Sequence, residues 1–329
     1  MRSKVLIVAF GSLRATQQLA SSGNSHPRDG QLLEPLMGRS DASKDVMAPS
    51  EIGRLRRRVI DTRSAAKGAI DALNSRFYDS EQAIWSPGAP WWLSGVAITS
   101  VIDYMHKTRS SDYMDQVNTM IEKQRAPLAW WPQGDGDFRG DSTDDTGWWG
   151  LAMIRMFDLT GNATYLNISM EDEAYMYESW TDTACGGGIY VDIEKQTYKN
   201  AIANELYIKL AASLHNRVNN DTFYLERAET AWSWFRRSGM INSNNLINDG
   251  LSKRSDGSCV NNKLPVWTYN EGVILGGLSE LYLGTSNTTY LTTARTLADA
   301  LLLNTTIPNS TIKILTEICE PPKTATTTK

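Results

Sequence analysis

One short pattern recurs four times between residues 107 and 291 and limits the chain to a repeated helical unit. In each copy a segment of helical periodicity ends, a polar loop follows, and the next segment opens on tyrosine with leucine or methionine behind it. The copies run Lys107 to Met114, Leu159 to Leu166, Val218 to Leu225 and Gly284 to Leu291. Their tyrosines, Tyr113, Tyr165, Tyr224 and Tyr290, stand 52, 59 and 66 residues apart. A period of that size describes an array or closed ring of αα-hairpins, in which the tyrosine pins the second helix of a pair onto the first. Apolar residues recur at helical spacing from 55 to 305, and strand-like alternation is confined to Gly188 to Asp192. The spacing predicts nine helices, near 55–76, 91–107, 111–124, 145–159, 163–178, 199–217, 221–238, 270–283 and 288–304, and an all-α fold. Long loops at 77–90, 125–144, 179–198 and 239–269 hold much of the Gly, Pro, Trp and Asp. Loops of that length in a compact domain carry function, and these are expected on one face.

Charge and composition remove several classes of function. Lys and Arg number 33 against 37 Asp and Glu, a formal charge of −4, which supplies no basic face for nucleic acid or anionic lipid. His26, His106 and His215 and the cysteines at 185, 259 and 319 stand too far apart for a zinc spacing, so neither metal nor cofactor is expected. Tryptophan is the unusual residue. There are 11 Trp against 6 Phe, and six of them form Trp-Trp pairs, which suggests a flat ligand.

The N-terminus reads as a secretory signal over 1–22: Arg2 and Lys4, an apolar stretch from Val5 to Leu13, then small residues around Ala20 to Ser22. The stretch is shorter than the roughly 20 apolar residues of a membrane span. Six Asn-x-Ser/Thr sequons, at Asn162, Asn167, Asn220, Asn287, Asn304 and Asn309, point the same way, to a glycoprotein that is secreted or held at the cell wall or surface. Residues 23–54 read as a flexible leader, 55–320 as one domain and 321–329 as a tail. Three cysteines in an oxidising compartment leave at least one without an intrachain partner. A Cys185–Cys259 bridge would leave Cys319 over, though spacing alone does not set connectivity.

The chemistry concentrates between Trp130 and Trp149. Asp135, Asp137, Gly140 and Asp141 match part of a calcium loop, but Arg139 and Thr146 occupy ligand positions, which argues against calcium. Two readings remain for Asp144 and Asp145. In one, Ser142 is an N-cap and Asp145 closes a capping box, with negative charge favoured at a helix start. In the other, the two are the nucleophile and acid/base of a glycosidase. Neighbouring residues more readily reach the roughly 5–5.5 Å carboxyl separation of a retaining mechanism than the wider inverting gap, and two close carboxyls push their pKa values apart. Flanking indoles offer faces for sugar rings.

Four motifs in register carry a resemblance. They are Asp144-Asp145-Thr146-Gly147-Trp148-Trp149-Gly150-Leu151-Ala152; Trp180 with Cys185-Gly186-Gly187-Gly188-Ile189; Tyr198-Lys199-Asn200-Ala201-Ile202-Ala203-Asn204-Glu205-Leu206; and Trp267-Thr268-Tyr269-Asn270-Glu271-Gly272 continuing to Leu278. Over residues 55 to 320 the chain resembles glycoside hydrolase family 76, the endo-α-1,6-mannanases of bacteria and fungi, and its fungal branch. The resemblance implies an (α/α)6 toroid and retaining endo-hydrolysis of α-1,6-mannan by a monomer, with Asp144 as nucleophile and Asp145 as general acid/base. It places Tyr198, Asn200, Asn204, Tyr269 and Asn270 along the sugar cleft, with Trp131 and Trp149 as stacking platforms; Trp148 is expected in the core. For Asn200 and Asn204, four apart on one helix, local capping or solvent exposure stands as the alternative. Family members continue past Ile314 to Pro321 into another cysteine and the helices that close the ring, so about nine of twelve helices are expected here. Two alternatives stand beside hydrolysis: a transglycosylase acting on a mannose-containing anchor glycan of the cell wall, or an inactive mannan-binding remnant.

Overall fold

The computed structural model describes residues 61–305. The readings of the signal, leader and tail, of Asn309 and of Cys319 lie outside the described residues. Among those residues nine α-helices form: α1 Thr62–Phe77, α2 Trp92–Thr108, α3 Met114–Gln124, α4 Thr143–Thr160, α5 Ala163–Tyr177, α6 Ala201–His215, α7 Phe223–Arg237, α8 Thr268–Thr285 and α9 Thr288–Thr305. Local sequence sets many of their ends. Asp61, Asn162 and Asn200 are N-caps whose side chains accept a backbone N–H of the first turn, and Asp221 does the same for α7. α4 stops at Gly161, which takes the left-handed conformation at φ 70°.

Loops of two to seven residues join α2 to α3, α4 to α5, α6 to α7 and α8 to α9, so each pair is an antiparallel hairpin. The first members, α2, α4, α6 and α8, pack side by side as an inner layer, and α1, α3, α5, α7 and α9 lie outside it. α6 is the most enclosed, with 13 of its 15 residues buried, as expected of a helix that is apolar on nearly every side. Glycine allows the inner helices to approach: a Cβ on Gly147 of α4 would lie 2.9 Å from Leu206 Cβ of α6. Ion pairs stitch the inner layer across helices, running from Asp103 through Arg155, Asp158 and Arg217 to Glu280 at N–O separations of 2.7 to 3.2 Å.

The repeated tyrosine has a further role. Tyr113 packs edge-on against Tyr104 of α2, ring centroids 5.8 Å apart, and its hydroxyl donates to Asp71 of α1 at 2.6 Å. Tyr290 of α9 donates to Glu229 of α7 at 2.8 Å. These two tyrosines therefore also tie one outer helix to the outer helix of the preceding repeat.

The long loops gather at the N-terminal end of the inner helices, where they bond to one another. Thr143 N–H donates to Val191 O at 2.9 Å, Ala201 N–H to Asp249 O at 2.7 Å, and Leu251 N–H to Lys199 O at 3.1 Å. A disulfide joins Cys185 to Cys259 across a sequence separation of 74. Strands are short: β1 Tyr78–Asp79 pairs with β2 Ile84–Trp85, and β3 Leu251–Lys253 with β4 Cys259–Asn261, both antiparallel. The alternating stretch Gly188 to Asp192, within the expected loop 179–198, makes the isolated bridges Trp180 to Ile189 and Ser142 to Asp192. The β3–β4 hairpin forms around Asp256-Gly257, where Gly257 has φ 83°; its strands lack apolar alternation, and the Asp-Gly turn was the local signal. No helix among the described residues is long and apolar enough to cross a membrane.

Five of the sequon asparagines are described and all are exposed. Asn162, Asn220 and Asn287 sit in the short loops, Asn167 in the second turn of α5 and Asn304 near the far end of α9.

Closing a loop of this length by a disulfide constrains the unfolded chain by roughly 4 kcal/mol. Replacing both Cys185 and Cys259 by serine is expected to lower the unfolding free energy by about that amount in denaturant titration, and reductant should bring the unaltered chain to the same midpoint.

Candidate active site

The start of α4 carries the paired aspartates. Ser142 is its N-cap, and Asp144 and Asp145 occupy the first turn, so the helix begins two residues before the expected 145 and the pair lies within it. The capping box does not form, because Ser142 makes no side-chain capping bond; its hydroxyl turns toward the two carboxyls. Thr143 and Thr146 hold the turn in place. Thr143 Oγ1 donates to Tyr190 O at 2.9 Å, and Thr146 Oγ1 accepts from Gly140 N–H at 3.0 Å.

The pair is half-buried, and the two carboxyls differ in surroundings. Burial pushes the Asp145 pKa up to about 8, reinforced by the charges of Asp144 and Asp141 and opposed by the Ser142 hydroxyl. Asp145 therefore keeps a proton at neutral pH. Burial also raises Asp144, but Ser142, the Asp145 N–H at 3.0 Å and the Asn200 side chain act as donors toward it and favour its ionised form. The positive end of α4 adds to that preference. Both carboxyls are thus raised by burial, and more hydrogen-bond donors face Asp144 than Asp145.

The remaining expected residues separate into two groups. Asn200 caps α6 by accepting Ala203 N–H at 3.1 Å and points its amide at Asp144, so it is both cap and site residue. Tyr198 and Tyr269 are half-buried at the same end. Tyr198 donates to Asp249, and Tyr269 stacks on Trp267 at 6.1 Å and 11°. The others are not open to a ligand. Asn204 is 1% exposed, with its amide committed to Ile189 N–H, Ile189 O and Asn200 O at 2.8 to 3.1 Å, so it shapes the 188–190 loop instead of lining a cleft. Asn270 is fully buried and its amide meets no protein partner.

Both indole platforms also require correction. Trp149 is fully enclosed, stacked on Phe138 at 4.8 Å and Trp91 at 5.0 Å. Trp131 is buried, its Nε1 donating to Tyr175 Oη at 2.8 Å. The exposed member of that pair is Trp130, at 56%, standing edge-on to Trp91 at 6.0 Å. Trp148, expected in the core, is half-buried and stacks on Trp92 at 5.8 Å. The calcium-loop aspartate Asp137 is bound to Arg125 at 2.7 Å.

Two residues that sequence did not single out organise the surroundings. Buried Lys199 donates to the carbonyls of Thr181, Ala184 and Gly187 at 2.6 to 2.9 Å and so fixes the loop carrying Cys185. Asp249 accepts from Tyr198 and from Trp267 Nε1.

Comparison with known proteins gives concordant results. A model of glycosyl hydrolase family 76 matches residues 61–329. A putative mannan endo-1,6-α-mannosidase of Schizosaccharomyces pombe is 29% identical over 205 residues, 59% of this chain and 45% of that protein. The chain spans about half the length of the curated relatives it matches. Among solved structures, an inactive variant of an α-1,6-mannanase of Salegentibacter sp., with two consecutive aspartates replaced by alanine and in complex with α-1,6-mannotetrose, superposes with a TM-score of 0.65. It is 20% identical and the match covers 74% of this chain and 70% of that one. Dfg5 of Chaetomium thermophilum, in complex with glucosamine, gives 0.63 at 21% identity over 77% and 66%. The shared fold is the helical toroid.

The raised Asp145 pKa has a consequence for stability. Folding lifts that pKa from an ordinary 3.8 to about 8, so the contribution of its neutral form is complete below about pH 4 and is lost as pH rises through 8. Asp145→Asn, neutral at every pH, is expected to melt close to the unaltered chain at pH 4 and above it at pH 8 to 9, with the gap widening monotonically in calorimetric scans between those limits.

Proposed function

The chain belongs to glycosyl hydrolase family 76, and we propose that it cleaves α-1,6-mannosidic linkages within mannan by a retaining, two-step mechanism. The observation that carries this reading is the adjacent pair in the first turn of α4, where Asp144 accepts the Asp145 N–H at 3.0 Å and burial pushes the Asp145 pKa up. Two support it from outside: the curated relatives bear the name mannan endo-1,6-α-mannosidase, and the mannanase bound to mannotetrose was made inactive at two consecutive aspartates.

In this mechanism Asp144 attacks the anomeric carbon while Asp145 gives its proton to the departing glycosidic oxygen, leaving mannose esterified to Asp144. Asp145, now ionised, takes a proton from water as that water attacks the same carbon, and Asp144 is released with the original configuration restored. Ser142 and Asn200 hold Asp144 with its charge stabilised and its orientation fixed. Tyr198, Asn200 and Tyr269 line the cleft, and exposed Trp130 provides an apolar face for a sugar ring in place of Trp131 and Trp149. We assign the activity to a secreted or surface glycoprotein, consistent with the exposed sequons and the disulfide.

Incubation with linear α-1,6-mannan is expected to release mannooligosaccharides that retain the α-configuration when followed by proton NMR. Asp144→Asn should lower kcat by about 10³-fold or more with the helical circular dichroism signal unchanged. Turnover that survives the substitution would remove Asp144 as nucleophile. Addition of wall polysaccharide as acceptor distinguishes transfer, which lengthens products, from hydrolysis.

Acid catalysis by Asp145 also fixes the alkaline limb of the pH profile. Since Asp145 must be protonated in the free enzyme, kcat/KM is expected to fall tenfold per pH unit above about pH 8. A limb centred near the ordinary carboxyl range would contradict the assignment.

A further inference from the structure

Asp249 lies in the 239–269 loop, away in sequence from every motif of the site, yet three observations bring it to the cleft wall. Its backbone carbonyl accepts the Ala201 N–H at 2.7 Å, and Gly250 beside it bridges Asn200, whose amide points at Asp144. Its carboxylate accepts from two aromatic side chains at once, the Tyr198 hydroxyl on Oδ2 and Trp267 Nε1 on Oδ1 at 3.0 Å. Trp267 in turn stacks on Tyr269. Residue 250 is held to glycine by the same arrangement, since a Cβ there would lie 2.5 Å from Tyr198 Oη and 2.7 Å from Lys199 O.

On the reading of this site as a mannan cleft, we infer that Asp249 is a positioning residue that sets the aromatic wall of Tyr198, Trp267 and Tyr269 relative to Asp144. The hydrogen bonds also dictate what the wall offers a sugar. The Tyr198 proton is committed to Asp249, and Asn262 Nδ2 donates to the same phenol oxygen at 2.8 Å. The free capacity of Tyr198 Oη is therefore a lone pair, so it meets a sugar hydroxyl as an acceptor. An ionised carboxylate suits this role because it only accepts, and a neutral amide in its place presents N–H groups to at least one of the two donors. The single amide oxygen then serves only one donor, so the two aromatics are no longer held together.

The test combines kinetics on α-1,6-mannotetraose with NMR of the tryptophan indole N–H groups, the Trp267 signal being assigned by its loss in Trp267→Phe. In Asp249→Asn, KM is expected to rise about tenfold with kcat changed by less than threefold, and the Trp267 N–H to shift and exchange with solvent at least tenfold faster. Asp249→Asn added to Tyr198→Phe should cost less than it does alone, because the two act through one bond. An unchanged KM in a folded Asp249→Asn, or full additivity with Tyr198→Phe, overturns the inference while leaving the mannanase reading intact. If Asp249→Asn does not fold, Tyr198→Phe alone carries the kinetic arm, since it removes one of the two bonds and leaves the carboxylate in place; an unchanged KM there overturns the inference. If the unaltered chain shows no turnover, the mannanase reading falls, and an indole signal that stays put in Asp249→Asn overturns the positioning role as well.

Discussion

Two carboxyls side by side at a half-buried helix start repel each other and lose hydration, and the organisation around α4 offsets that cost. The positive end of the helix, the Ser142 hydroxyl and the Asn200 amide favour charge on Asp144. No comparable set of donors reaches Asp145, so burial and its neighbours' charges leave it protonated. The division of labour between two chemically identical side chains therefore comes from their unequal supply of hydrogen bonds. That supply rests on the loops. Asn200 is aimed because it caps α6 and bridges Gly250, and α4 starts where it does because Thr143 bonds to Tyr190 and Val191.

The helical layers give those loops a rigid base. Ion pairs and close glycine contacts fix the inner helices against one another, and the repeated tyrosines link outer helices along the array. At the other end the loops are sewn together by main-chain bonds, by the three carbonyls gathered on Lys199 and by the Cys185–Cys259 bridge. A site assembled from three successive inner helices can be held to hydrogen-bond tolerance only when both ends are constrained.

Most helices were legible in the sequence because they bury a stripe, which leaves a period, and α6 was legible as an apolar run too long for a strand. Most ends were legible within a few residues, since caps such as Asn162 and Gly161 announce themselves. The paired aspartates were legible as a motif, but what sets the two apart depends on Asn200, which a separate helix brings to Asp144 alone. The tryptophans misled because composition reveals an abundance of indole and not its direction: Trp130 and Trp131 are neighbours, one at 56% exposure and the other at 7%. Asn204 misled likewise, since an amide four residues from a cap looks ready for a ligand until the Ile189 backbone is folded over it. Asp249 gave no signal at all. It sits in a polar loop without period, and its meaning lies wholly in Tyr198 and Trp267, distant in sequence.

The sequons in the short loops have a bearing on how such a molecule could meet a large polymer. Asn162, Asn220 and Asn287 turn back at the end of the hairpins opposite the long loops, and Asn167 lies close above them on an outer helix. Oligosaccharides attached there would project from the rear and flank of the array. Asn304, close to the end of α9, lies instead at the long-loop end, so a glycan there would stand at the rim of the front face while the other four hydrate the back and flank.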